Sequence, residues 1–461
     1  MARLLRALER IRESSIVEPQ VVLDACERCG HRWRARILDP VRTVQCFATQ
    51  ILHHNTSIAH TVRLCASAFC EAAYCAARRR LPVELFERVL YQTTRRLLAS
   101  TPASITPGVF YGHRTLTIDG TGCDMPDTPQ LQEHFGQPLN QRSGCGFPVA
   151  GCLALFDAPS LMLVDLIASP FAAAETPRAP RLHPHLAAGD LLIGDRGFSS
   201  YCHIALLAAR GVEALFRAHQ SRAIDFPAPA DPPPRRGYNR HRREQAVLVE
   251  RLGSGVVCDD QIVEITKPHN RPGWMSPADF ARLPSTLRLR TLRYRIGRPG
   301  FRCREIVLMT TLLDPKRYPA EELAALYRSR WQVEINLRNL KQTLGMNSLH
   351  CKSVEGVRRE LLMFALVYNA VCAEMVREAE ERGVAVTRIS FIDTLRAMQE
   401  SRRTEQAEMP PARPRPLKLN PDRSADPDRH HPRCVKRRLR YPTLGSARRG
   451  APSTTNPSRD K

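Results

Sequence analysis

A chain of 461 residues, 43% of them hydrophobic, is long enough to bury a sizeable core and to divide into two to four domains. Its formal net charge of +23 points to a polyanionic partner. No apolar run approaches the roughly 20 residues that span a bilayer, so nucleic acid is favoured over membrane.

The opening stretch, MARLLRALERIRES, alternates basic residues with leucine. It lacks an apolar signal core and reads as an amphipathic helix, so a cytosolic protein is expected. The 15 cysteines are scattered and would stay reduced there. Cys26 and Cys29 form a CxxC with His31 nearby, but no second pair follows at finger spacing. Residues 1–105 read as a helical domain, with three- and four-residue apolar steps over Arg42–Leu64 and Ala66–Leu98. Arg78, Arg79 and Arg80 end one helix and Pro82 opens the next. Such a break flanked by arginines suits a DNA-end-recognition module; it equally suits a hairpin whose arginines complement a helix carboxyl end.

Residues 106–220 carry the first strand signals. RTLTID at 114–119 alternates and is rich in β-branched side chains, and Gly120, Thr121 and Gly122 are expected to break it. Asp119 is therefore placed at a strand end facing a glycine loop. Asp124 and Asp127 lie in a turn-rich stretch and suit capping. Phe147–Phe156 and Leu161–Ala168 read as strands, and LLIGD at 191–195 as a short buried strand that delivers Asp195 at its tip. A helix over Ser200–Arg210 and a strand over Val212–Arg217 complete a β–α–β unit. Asp190 falls at the far end of its strand from Asp195, and Asp165 within a strand where ion pairing is the ordinary role. In isolation Asp119 also reads as a turn residue and Asp195 as a helix cap.

The acid that follows, Glu334, stands 139 positions after Asp195, so an insertion is expected at 221–304. Its Pro- and Arg-rich start, with Arg235, Arg236, Arg240, Arg242 and Arg243, reads as a basic loop, either tracking a DNA backbone or merely solvated. Short alternating runs after it read as a small β subdomain, with Trp274 suited to packing or, alternatively, to stacking on a nucleic-acid base. Residues 305–400 return with a strand at Glu305–Leu312, a helix spanning Tyr327–Lys341, a second long apolar helix over Leu361–Glu378 and a short one over 388–399. Residues 401–461 hold 16 Lys+Arg against 6 Asp+Glu and many prolines, and read as a disordered basic tail. On a regular helix Tyr327, Arg330, Glu334 and Lys341 share an arc of about 60° along about 21 Å of axis. A carboxylate that can hold a metal and cations that can grip phosphate thus stand in a row; arc geometry alone also allows a solvated charged face.

The spacing Y-x2-R-x3-E-x6-K from Tyr327 to Lys341 resembles that of DDE transposases of the insertion-sequence-four family. The stretch after Asp119, the DRGF at Asp195–Phe198, the GHRWR-type segment at Gly30–Arg34 and the basic ending HPRCVKRRLRYP resemble the family as well. The resemblance implies an RNase H-like mixed α/β sheet flanked by helices, with a helical amino-terminal domain and a β-rich insertion. It implies catalysis and metal binding by Asp119, Asp195 and Glu334, and two Mg2+ ions, with Mn2+ able to substitute. Carboxylates suit such hard cations. It implies DNA contacts from Tyr327, Arg330 and Lys341, and an end-binding role for Arg78, Arg79 and Arg80. The expected activity is cutting of transposon ends, by way of a hairpin, and joining of the 3′-hydroxyls to target DNA. The expected partners are DNA and a second copy of the chain, in the bacterial cytoplasm at the nucleoid, without a membrane. No GxxxxGK[ST] loop is present, so ATP is not expected. A metal-dependent nuclease without strand transfer, or an inactive DNA-binding derivative, would share much of this pattern.

Overall fold

A computed structural model describes residues 16–65, 69–102, 109–138, 146–219, 224, 226, 246–254, 258–295, 305–407 and 419. Side chains are described for these except 254, 295 and 401–407. The opening amphipathic stretch, the arginines at 235–243 and the basic tail beyond 407, save Leu419, lie outside the described residues.

The amino-terminal region is helical as its periodicity requires. It contains α1 (Pro19–Arg28), α2 (Pro40–Leu52), α3 (Ile58–Leu64), α4 (Glu71–Arg80) and α5 (Val83–Ala99). Asp39 caps α2 through the Arg42 amide at 2.7 Å, and prolines occupy first-turn positions of α1 and α2 where no amide hydrogen is needed. Then come β1 (Val109–Phe110), β2 (His113–Asp124), α6 (Pro129–Phe135), β3 (Val149–Asp157) and β4 (Leu163–Pro170). Next are β5 (Leu191–Gly194), α7 (Tyr201–Ala208) and β6 (Glu213–Arg217). β7 (Ala246–Ser254), β8 (Cys258–Thr266), α8 (Pro277–Arg282), β9 (Thr286–Arg295) and β10 (Glu305–Thr310) follow. The chain then runs through α9 (Ala320–Ser329), α10 (Trp331–Arg338), α11 (Val354–Arg382) and α12 (Phe391–Ala407).

One ten-stranded sheet holds these strands in the order β4-β3-β2-β5-β6-β10-β9-β8-β7, with β1 beside β2. β4, β3 and β2 run antiparallel, whereas β2, β5 and β6 are parallel. Three antiparallel strands joined to two parallel ones in that order form an RNase H-like core. The strands of the 221–304 segment do not stand apart. β9 pairs with β10 along its length, and β8 and β7 extend the same sheet. Trp274 packs half-buried against the core beside Met275 and Phe280, as expected.

The 29-residue α11 is buried along most of its length and joins the helical region to the sheet. Phe47, Ile51, Phe86 and Val89 of the amino-terminal helices share one core with Phe364, Leu366 and Val371. Asn369 clamps the outer strand β4. Its side chain accepts from the Leu163 amide at 2.7 Å and donates to the Leu163 carbonyl at 2.8 Å and to Thr94 at 2.8 Å. Cys26 lies fully buried in this same core. Among the described residues no helix is long and apolar enough to cross a membrane.

Two buried ion pairs rivet β8 to β9: Asp260 with Arg290 at 2.5 Å and Asp259 with Arg293 at 2.6 Å. Arg290 is wholly inaccessible and also donates to the Tyr318 carbonyl at 2.6 Å, just before α9. Removing one partner leaves a buried charge uncompensated. Asp260→Ala should therefore cost about 3–5 kcal/mol in urea unfolding.

Candidate active site

β5 stops at Gly194, and the register of its parallel pairing with β2 sets the site. Thr115 pairs with Leu191 and Ile118 with Gly194, so the next residue on each strand is an aspartate: Asp119 and Asp195. Gly194 leaves little room for a side chain there. A β-carbon would lie 3.0 Å from Ile118 and Phe198 and 3.2 Å from Phe216. Asp195 caps the tight turn Arg196–Phe198, accepting from the Gly197 amide at 2.7 Å. Asp119 accepts from the Gly120 amide at 2.9 Å.

β2 does not end at Asp119. It continues through Gly120, Thr121 and Gly122 to Asp124, paired throughout with β3. The glycine break expected from sequence is thus overridden by cross-strand pairing. What ends at Asp119 is the partner on the other edge. From Asp119 to Cys123 the described residues place no strand on that edge, and residues 347–349 rejoin it only at Asp124. The aspartates stand at the mouth of this gap.

Glu334 reaches the gap from α10, which packs over β2. The stretch read as one helix is interrupted. α9 ends at Ser329, and tight turns carry the chain through Arg330, whose amide bonds Tyr327 O at 3.1 Å and whose carbonyl accepts from Val333 at 2.9 Å. Beyond α10, residues Asn339–Thr343 form a π turn closed by the Leu344 amide on Asn339 O at 2.9 Å. The regular 100° projection therefore does not hold as far as Lys341.

Arg330 sits among the acids. Its guanidinium is 3.4 Å from Asp119 and 3.3 Å from Glu334. Burial opposes its charge, but Tyr327, Asp119, Glu334 and Asp195 outweigh burial and hold its pKa above the ordinary value. Tyr327 is itself buried, with its ring centroid 5.8 Å from that guanidinium. Lys341 acts electrostatically on Cys123, farther along β2.

Among the described residues no three His, Cys, Asp or Glu side chains stand at metal-ligating spacing, and Arg330 pairs with two of the acids. The donor set nevertheless suits a hard cation. Burial raises the Asp119 carboxyl above its ordinary pKa, and Asp195 and Glu334 raise it further against the opposing pull of Gly120 and Arg330. Negative charge is in surplus here, and every donor is a carboxylate oxygen.

Sequence reasoning missed Glu175. Its carboxylate lies against the α-carbon of Gly120, where a β-carbon would fall 1.8 Å from Oε1. Burial raises its pKa, and Asp119 and Asp195 raise it further. No sequence signal marked it, because it lies in an Ala- and Pro-rich connection with no periodicity. The arginine triplet also divides. Arg78 turns inward, its guanidinium 3.7 Å from the Phe47 ring centroid and bonded to Gln50 and Cys351. These contacts lie within the fold, whereas Arg79 and Arg80 are exposed.

A model of the transposase DDE domain matches residues 110–370. The chain belongs to the transposase DDE-domain family. It is 27% identical over 327 residues to the transposase InsG for insertion sequence element IS4 of Escherichia coli (strain K12). That match covers 70% of this chain and 65% of the relative, so the chain spans just under two thirds of the relative's length. A cryo-EM structure of a piggyBac transposase synaptic complex with hairpin DNA aligns over 89% of this chain and 83% of its own, with 10% identity and a TM-score of 0.39.

The turn after Asp195 is steadied by a buried histidine pair. His203 Nδ1 lies 2.8 Å from the Phe198 carbonyl and so carries the proton donated to it; its Nε2 then accepts from His183 Nε2 at 3.1 Å. Burial lowers the His203 pKa to about 4. Burial, with His203 and Arg210 adding to it, lowers His183 to about 3. Both histidines are neutral in the fold, while the unfolded chain binds protons from about pH 6.5 downward. Their contribution is therefore complete above about pH 6.5 and declines as pH falls toward the folded values, by on the order of a few kcal/mol. The urea midpoint should drop between about pH 7 and pH 5, and His203→Phe should flatten that drop.

Proposed function

We propose that this chain is a DNA transposase that cuts the ends of its element and joins the freed 3′-hydroxyls to target DNA. The supporting observation is the meeting of Asp119, Asp195 and Glu334 around Arg330, at the mouth of the gap where β5 leaves β2. The supply of acids fits two divalent ions, Mg2+ or Mn2+, held by these three carboxylates. When bound, such ions activate the attacking oxygen and neutralise the leaving one.

The residues around the acids have distinct tasks in this reading. Arg330 balances Asp119 and Glu334 before DNA arrives, and a backbone phosphate offers it a new partner. Tyr327, being buried, orients Arg330 through its ring face rather than gripping DNA itself. Lys341, half-buried beyond the π turn, adds a phosphate contact farther along the duplex. The exposed Arg79 and Arg80 suit binding of the terminal repeats. The chain acts as a homodimer on two ends, by way of a hairpin, in the cytoplasm of a bacterium at the nucleoid.

Terminal-repeat duplex from the element itself is the substrate for the test. Glu334→Ala should lower cleavage by on the order of 1000-fold or more while leaving end binding nearly unchanged. Retained cleavage would overturn the assignment. Strand transfer from a precut end separates a transposase from a nuclease that merely shares the acids. Arg330→Ala should reduce the slope of log affinity against log salt by about 1; an unchanged slope would remove Arg330 from the phosphate contacts.

A further inference from the structure

The amino-terminal helices meet the segment behind Glu334 through a tight turn, residues 53–56, that follows α2. Within it His54 and Asn55 adopt φ of 58° and 51°, the left-handed region that few side chains enter. Both reach across the molecule, to partners 289 and 305 positions away. His54 Nδ1 lies 2.7 Å from the Thr343 carbonyl and so carries the proton donated to it. Thr343 ends the π turn that follows α10. The amides of Leu344, Met346 and Asn347 close back on that turn, on the carbonyls of Asn339, Leu340 and Lys341 at 2.9, 3.1 and 3.2 Å.

Asn55 anchors the turn from which His54 reaches. It is buried, donates to Glu360 Oε1 at 2.5 Å and accepts from Gln50 at 3.2 Å. The Glu360 carboxylate is buried as well, and accepts from the amides of His350 at 2.8 Å and Cys351 at 2.9 Å. Gln50 in turn accepts from Tyr74 and from Arg78, each at 3.0 Å, and Arg78 bonds Cys351 at 3.3 Å. The circuit closes on itself, and a buried polar network with its partners in place is rigid. It fixes residues 54 and 55 against the chain just beyond residues 347–349, which rejoin β2 at Asp124.

α10 has eight residues and is irregular at both ends, with tight turns through Arg330 before it and the π turn after it. Among the described residues the Glu334 side chain is held by Arg330 alone, at 3.3 Å. Its place therefore rests on how the ends of this short helix are pinned. A shift of about 1 Å at a reacting group, caused far from it, is enough to slow chemistry strongly.

We propose that His54 is a positioning residue of the active site: anchored by the Asn55 circuit, it fixes the far end of the helix that carries Glu334. The inference rests on the reading of Glu334 as an acid of the cleavage reaction. It assigns His54 to holding the Thr343 carbonyl, and not to contacting DNA or the acids.

The test uses the full-length chain on terminal-repeat duplex in Mg2+, in single turnovers with all of the DNA bound, beside amide hydrogen exchange of the metal-free protein. His54→Gly suits the backbone conformation and removes the imidazole. It should lower the cleavage rate constant by about 10-fold and speed exchange of the Leu344, Met346 and Asn347 amides by about the same factor, with end affinity in EDTA unchanged. His54→Asn, which tolerates a positive φ and carries a donor nitrogen near the place of Nδ1, should restore both. A smaller reaction amplitude with an unaltered rate constant marks a merely structural contact and overturns the inference, as does faster exchange without slower cleavage. If Glu334→Ala abolishes cleavage while His54→Gly matches the unaltered chain, the inference fails and the reading of Glu334 survives. Retained cleavage in Glu334→Ala ends both. Should His54→Gly not fold, His54→Asp, close to Asn in size but without a donor, takes its place in the comparison with His54→Asn.

Discussion

Four backbone pairings between β2 and β5, from Thr115–Leu191 to Ile118–Gly194, place two aspartates side by side that stand 76 positions apart in the chain. The pairing is buried and parallel, and Leu116 and Leu192 pack on the same side of it. A slip by one residue would turn every side chain of the strand to the opposite face, so the hydrophobic core specifies the register strongly. The site inherits that precision. Gly194 packs closely against Ile118, Phe198 and Phe216, and Asp195, which caps the turn by accepting from the Gly197 amide, follows at once. The helix that carries Glu334 then needs only to cover an opening whose other contributors are already fixed.

Charge balance is the second constraint on the opening. Carboxylates crowded into a partly buried gap oppose one another, and burial makes each ionised form dearer. Arg330 relieves two of them in the protein alone. Its guanidinium stands between Asp119 and Glu334, four residues farther along the chain. The same crowding makes the opening receptive to a small, strongly charged cation, so one electrostatic fact underlies both the internal ion pairs and the proposed chemistry. The buried pairs of Arg290 and Arg293 show the opposite solution, in which each charge has a full partner and nothing is left to attract an ion.

Much of the core was legible because the relevant signals are local. LLIGD reads as a short buried strand that ends on an acid, and the structure has it so. Asp165, expected in an ordinary ion pair, lies 3.1 Å from His185. Asp190, expected away from the site, bonds the Ala187 amide and faces Arg114. Failures came where partners are distant in sequence. The glycines after Asp119 look like breakers until β3 is known to pair with them. The alternation of β7, β8 and β9 shows strands but not that β10 will take them into the main sheet. Arg78 looks like one of three equal arginines, and only the position of Phe47 turns it inward. Glu175 too owes its place to distant partners, since Thr176 and Arg178 beside it bond Gly197 and Gly151.

The π turn at Asn339–Thr343 absorbs one residue more than an α-helix would need to cover the same length. Upstream and downstream of it the chain is pinned, by Glu334 at the gap and by Leu349 on the Asp124 carbonyl at 2.8 Å. The surplus is therefore stored in a single widened ring instead of being passed on as a rotation of about 100° to everything that follows. One widened ring thus reconciles two fixed points that a regular helix would set out of phase.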